Sequence, residues 1–297
     1  MTTAISPITR QTSRPYLSLQ EFKNAPTALD YGNLVAGGNQ AAQDAELTNA
    51  IIRASSAIDQ YCNQIIGATL DTEQQRTRIK PDGTVRFHPK YFPVVAMTDL
   101  QIGWTPNALT AVTDPSQAWF EEQEIIYPYA QLPQSMSSQG PLSFGFPMSS
   151  RAETFIKYTY VNGYANTLVA TSASAGATSI VCEDGLGVVA GMGLTIYDGA
   201  NTERVVVAST YTFGSATIPL TAPLAYAHAV GVSVGNLPAA VKQAAILYTS
   251  AALKIRGDSA LVMAVTNSPS QQSAGSQRVG SDIALAQEIL LPFRRIR

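Results

Sequence analysis

Apolar side chains recur at helical spacing in one stretch, where Leu47, Ile51, Ala54, Ile58, Cys62 and Ile65 share a face. Asp44 and Glu46 stand near its start, where a helix dipole favours anions, and Arg53, Asp59 and Gln60 take the opposite face. Gly67 offers a C-terminal stop. Upstream, Ser18-Leu19-Gln20-Glu21 reads as a capping box that opens a short helix ending before Pro26. From Thr72 the polar–apolar pattern becomes strand-like, with Arg76, Arg78 and Lys80 alternating with Thr77 and Ile79. Pro81-Asp82-Gly83 supplies a turn, since proline presets φ and glycine takes its positive value. Val85 and Phe87 return as the partner strand, which predicts a β-hairpin. Further strands are expected near 94–102, 119–127 and 154–160.

The stretch 130–150, rich in Ser, Gly, Pro and Gln, reads as a long loop. From about 165 to 236 the composition shifts to Gly, Ala, Thr and Val, and the charged side chains are Glu183, Asp184, Asp198, Glu203 and Arg204. Short strand signals recur at 178–181, 194–197, 204–207, 216–220 and 230–234, with Asp198-Gly199-Ala200-Asn201 as a hairpin loop. Short strands with Gly-rich turns predict a small β barrel or sandwich, inserted at 165–236. Helical periodicity then returns. Pro238 suits a first helical turn, Val241, Ala244, Tyr248, Ala251 and Ile255 form one face, and Ala245, Leu247 and Ala252 widen it. Residues 264–281 read as a loop, and Asp282 caps a last helix that Pro292 ends. Residues 1–17 read as an arm without a core of its own, ordered against a partner.

Composition narrows the function classes. With 297 residues the chain is long enough for one large core or two smaller ones. Apolar residues make up 45%, which excludes disorder throughout, and charged residues only 13%, which favours life inside an assembly. A formal net charge of -2 gives no broad nucleic-acid-binding face. Cys62 and Cys182 stand in separate segments, so no disulfide framework is expected. No apolar run suggests a signal peptide or a membrane span.

Motifs that could carry chemistry are weak. Gly185-Leu186-Gly187-Val188-Val189-Ala190 fits a dinucleotide fingerprint, but a strand-like Leu194-Thr195-Ile196-Tyr197 follows where a helix is needed, so turn glycines are the better reading. His88 and His228 have no ligand-spaced partners, and Ser143 lacks the first glycine of a nucleophile elbow. Glu121, Glu122 and Glu124 form an acidic run, read as a solvated face or a patch turned to a neighbour or to a channel. Arg76, Arg78, Lys80 and Arg86 cluster on the predicted hairpin; they suit phosphate, an exposed face, or the acidic patch of the next subunit. Phe293-Arg294-Arg295-Ile296-Arg297 interleaves apolar groups with guanidiniums, as interface anchors do.

Certain pieces fall in an order that resembles a known family. Tyr61-Cys62-Asn63-Gln64 closes the amphipathic helix, and Tyr160-Val161-Asn162-Gly163-Tyr164 runs from a strand into a turn. Leu237-Pro238 opens a Lys/Gln/Ala helix, and Leu291-Pro292-Phe293-Arg294-Arg295 closes the chain. Together these resemble the head–tail connector (adaptor) proteins of long-tailed bacteriophages, interrupted by the 165–236 insert. The insert is similar to β modules of phage structural proteins, in which the Asp-Gly-Ala-Asn hairpin and the Ala225-Tyr226-Ala227-His228 stretch recur.

The resemblance implies an α+β fold: a helical bundle with a β-hairpin or small-sheet element, discontinuous over 1–164 and 237–297, plus the inserted all-β domain. It implies a cyclic homo-oligomer, a dodecameric ring at the neck of the virion, assembled in the host cytoplasm. The ring joins the portal protein to a stopper or tail-completion protein and lets DNA pass without specific binding. No catalysis, cofactor, metal or membrane is implied. Residues 293–297 become the expected portal contact, and the basic and acidic clusters the expected contacts between subunits. The insert is expected to project outward, toward capsid or neck decoration proteins. The rival readings are another virion protein, for tail completion or decoration, and a wall-degrading enzyme.

Overall fold

A computed structural model of the chain describes residues 14–27, 29–32, 34–80, 84–112, 114–121, 123–128, 153–264 and 282–295. They divide into two compact units. One comprises the chain up to Gly67 and from Tyr164 onward, and the other runs from Ala68 to Gly163. The expected arm up to residue 13, the turn 81–83, the loop 130–150 with Ser143, and most of the loop 264–281 lie outside the described residues.

In the first unit, α1 (Leu19–Asn24) carries the predicted capping box: the Glu21 amide donates to Ser18 Oγ and the Ser18 amide to Glu21 Oε2. Helix α2 (Gln40–Cys62) starts at Asn39, whose side chain accepts from the Ala42 amide. It ends at Asn63 in the left-handed conformation, φ 54°, four residues before the predicted stop at Gly67. Asparagine tolerates this conformation better than most residues, so the chain turns there. Leu47, Ile51, Ile58 and Cys62 of the predicted apolar face are buried with Leu237 and with Val241, Ala244 and Ala245 of α3 (Ala239–Ala264), while Ile65 lies beyond the helix end. Leu290, from α4 over residues 282–290, joins the same core, as do Tyr16 and Leu17 at the end of the expected arm.

The same unit contains a six-stranded antiparallel sheet. Its strands are β8 (Asn166–Thr171), β9 (Ser179–Cys182), β10 (Gly193–Tyr197), β11 (Glu203–Val206), β12 (Thr217–Pro219) and β13 (Ser233–Gly235), ordered β11-β10-β13-β8-β9-β12. The sheet curls until its edge strands meet: Val207 bridges Leu220, the Ala208 amide donates to Pro219 O, and the Thr221 amide to Val206 O. Inside lies a core of its own, with Val169, Ile180, Leu194, Ile196, Ile218 and Val234. Strand β8 has no counterpart among the expected strands, because Thr167 occupies an inward position and blurs the alternation. Two cations tie this sheet to the rest of the unit. Lys242 of α3 reaches Glu21 at 2.5 Å and Ser233 of β13, and its ammonium lies 3.8 Å from the centroid of the Tyr197 ring. Arg14 meets Glu183 and Asp184, each at 2.8 Å.

The second unit is two layers of β-sheet. The larger has β1 (Thr69–Arg78), β7 (Glu153–Asn162), β3 (Val94–Thr105) and β4 (Ala108–Ala111) in the order β1-β7-β3-β4. The smaller has β2 (Thr84–Phe87), β6 (Glu124–Pro128) and β5 (Trp119–Glu121) in the order β2-β6-β5. Val85, Phe87, Ile125 and Tyr127 from the smaller sheet pack with Leu100, Ile102, Ile156, Tyr158 and Tyr160 from the larger. The predicted hairpin survives only at its tip, where Ile79 bridges Val85 and the Lys80 amide donates to Thr84 O. Beyond that, β1 pairs with β7 along its whole length, and β2 joins β6 in the other layer.

These sheets correct the expected fold class. Among the described residues the fold is mostly β, in three sheets with few helices, rather than a helical bundle with a small β element and an insert. The helical pattern is real in α2 and α3, but those helices pack as a small group beside sheets. Period-2 stretches with polar outward positions, such as Thr72–Arg78, build more of the molecule than their weak apolar content suggests. No helix among the described residues is long and apolar enough to cross a membrane.

Candidate subunit interaction sites

The basic cluster divides over both sheets of the second unit. Alternation along β1 puts Arg76 and Arg78 on the exposed face of the larger sheet, each side chain 60% exposed. Register places Arg78 opposite Glu153 of β7, and this one carboxylate serves both guanidiniums. Lys80 is exposed just beyond the strand. The row therefore keeps a net positive charge. Arg86 belongs to the smaller sheet and lies beside Glu124, 3.5 Å away.

The acidic run gathers at the hairpin between β5 and β6, where Glu121 faces Glu124 across the pair. Glu122 lies outside the described residues. Glu124 also meets His88 Nε2 at 2.9 Å, and Arg86, His88, Glu121, Gln123 and Glu124 line one shallow groove. Register puts Trp119 on this face as well, since it stands opposite Ile126, the neighbour in register of Arg86. Trp119 is 41% exposed, and its indole Nε1 donates to Glu121 Oε1 at 3.1 Å. Strand β5 thus presents an aromatic face and a carboxylate side by side. Arg86, Glu121 and Glu124 are brought together; Arg76, Arg78 and Lys80 stand apart from them on the other sheet.

The C-terminal segment docks on its own chain. The Phe293 ring packs edge-on to Tyr164, with centroids 6.5 Å apart, and against the helical core. Gln64 donates to Phe293 O, Asn63 to Arg295 O, and the Arg295 amide to Cys62 O. The Arg295 amide thereby satisfies a carbonyl at the end of α2, where carbonyls lack helical partners. The Arg294 guanidinium lies 5.4 Å from the Tyr61 ring centroid. Ile296 and Arg297 lie outside the described residues.

Two charged clusters escape a reading of the sequence. His228 is buried between two carboxylates: Nδ1 lies 2.9 Å from Asp198 and Nε2 2.8 Å from Glu203. Burial pushes the Glu203 carboxyl up. The Ala225 amide, the His228 ring and the Tyr226 amide outweigh this and hold it below the ordinary glutamate range. The two sequence signatures of the insert, the Asp198 hairpin and the Ala225–His228 stretch, thus close on one another. The second cluster is Lys242 with Glu21, where burial pulls the ammonium down in pKa against the opposing pull of the Glu21 carboxylate.

The remaining motifs are structural. Gly185 lies where any side chain would meet Ser215 O and the Tyr211 hydroxyl, and Gly187 takes φ 80° in the turn that follows. The strand β10, not a helix, comes next. Both thiols are buried, and desolvation pushes Cys62 and Cys182 up to about 12, which keeps them protonated and unreactive. Among the described residues no group of His, Cys, Asp and Glu is placed to hold a metal ion. No protein-family model matches the chain, and no characterised protein matches it significantly.

Proposed function

We propose that this chain is a virion structural protein that forms a closed ring at the neck of a long-tailed bacteriophage. The ring joins the portal to a stopper or tail-completion protein, and DNA passes through it. The observation that carries this reading is the convergence of the resembling motifs. Tyr164, Leu237 and Phe293 come from three separate stretches of the sequence, and all three pack in or against one helical core. Low charge and exposed aromatics on β5 and in loops of the curled sheet suit a protein that works in contact with others.

The test is direct. Purified chain, alone and mixed with portal, is imaged by negative stain and sedimented. Rings, or co-sedimentation with portal, are expected. Binding to assembled capsids without portal contact would favour the decoration reading instead. Lysis in a cell-wall zymogram would replace both with an enzyme.

A further inference from the structure

We infer that consecutive copies of this chain bind head to tail through the second unit, with the Arg76–Arg78–Lys80 row of one copy seated on the Trp119–Glu121 edge of the next. This inference rests on the ring reading above and names the contact that would close it. The receptor side is an exposed indole fixed beside a carboxylate by its own hydrogen bond, with Glu124 across the strand pair. An aromatic face next to a carboxylate fits a guanidinium, which stacks on the ring while its N–H groups pair with the oxygens. The guest side is two guanidiniums, each 60% exposed, sharing the single carboxylate of Glu153. Each has N–H groups to spare beyond that bond.

The two surfaces lie on different sheets of one compact unit. They are complementary to each other and neither is complementary to itself. Such a contact is heterologous, and repeated with a closing rotation it gives a ring. Opposite charge contributes mostly to register and partner choice, while the buried indole supplies the apolar anchor.

Charge reversal tests this on the full chain. Arg78→Glu and Glu121→Lys each place like charges across the contact, and each is expected to cut the assembled fraction about tenfold or more in sedimentation velocity. Mixed in equal amounts, the two variants are expected to co-assemble in alternation. Every junction then sets opposite charges together, either the reversed row on the reversed edge or the native row on the native edge. Misfolded chains would not rescue one another, so recovery on mixing separates contact from fold. Trp119→Ala is expected to weaken assembly without changing its salt dependence. Wild-type rings with both reversals still assembling fully, or no recovery in the mixture, overturn this contact and leave the ring reading in place. A wild-type chain that stays monomeric at all concentrations and with portal overturns the ring reading itself. Loss of DNA retention on Arg78→Glu with unchanged assembly would reassign the basic row to a polyanion and overturn the contact.

Discussion

His228 shows what a single residue does here and why its sequence conceals it. The ring is enclosed by carboxylates that precede it by 25 and 30 residues, far outside ligand spacing, so the chain read one residue at a time offers only a lone histidine. Substitution by alanine removes both contacts and leaves Glu203, 12% exposed, facing a void. We expect His228→Ala to cost about 2 kcal/mol, read as a drop in urea midpoint with unchanged m-value. Glu203 also sets a pH dependence. Its carboxyl titrates lower in the folded chain than in the unfolded one, so the unfolded state binds protons first as pH falls. The stabilisation is full above about pH 4.3, the unfolded value, and is lost as pH drops through the folded value. Wild type should lose stability over this range more steeply than Glu203→Gln; parallel curves would count against it. Gly185, by contrast, is legible as a turn glycine, though not for its close approach to Ser215.

At the scale of elements, the helices and most of the strands are legible in the sequence, but which strands pair is not. The apolar face of α2 and the proline-started α3 follow from spacing that is local, and both form where expected. Strand partners are not local: β1 is followed by a turn and a strand, yet it pairs with β7, some eighty residues on. The ion pair between α1 and α3 is equally hidden, since Glu21 is already engaged in its capping box and Lys242 stands 221 residues away. Lys242→Ala should cost about 3 kcal/mol, because it strands a carboxylate 11% exposed, whereas the double change Lys242→Met with Glu21→Gln should be far milder. Thermal melts of the three chains decide this; equal losses in single and double variants would mean the pair is not coupled. The C-terminal segment carries a similar lesson. Aromatic and arginine residues mark it as an anchor, but Phe293 and Arg295 hold the end of α2 of the same chain. Phe293→Ala is expected to destabilise the first unit by about 2 kcal/mol in a urea titration followed by helical circular dichroism. A portal-binding assay on that variant must therefore be read against its stability.

For the whole molecule, composition and motif order carry the proposal, while the balance of helix to sheet goes against expectation. Polar residues on both faces of Thr69–Arg78 leave little hydrophobic signal for a strand that nevertheless builds a ten-residue ladder. A ring is the prediction at this scale, with assembly weakened by salt because its proposed contact is charged and exposed. Sedimentation at rising sodium chloride checks it, and salt-independent rings would point to a different, apolar interface. Gly67 bridges Tyr164, the Tyr164 amide donates to Ile66 O at 2.9 Å, and Thr69 pairs with Asn162. The chain departs from the first unit and comes back to it at one spot. The two ends of the 68–163 stretch are therefore backbone neighbours, which is the geometry that tolerates the insertion of one domain into another.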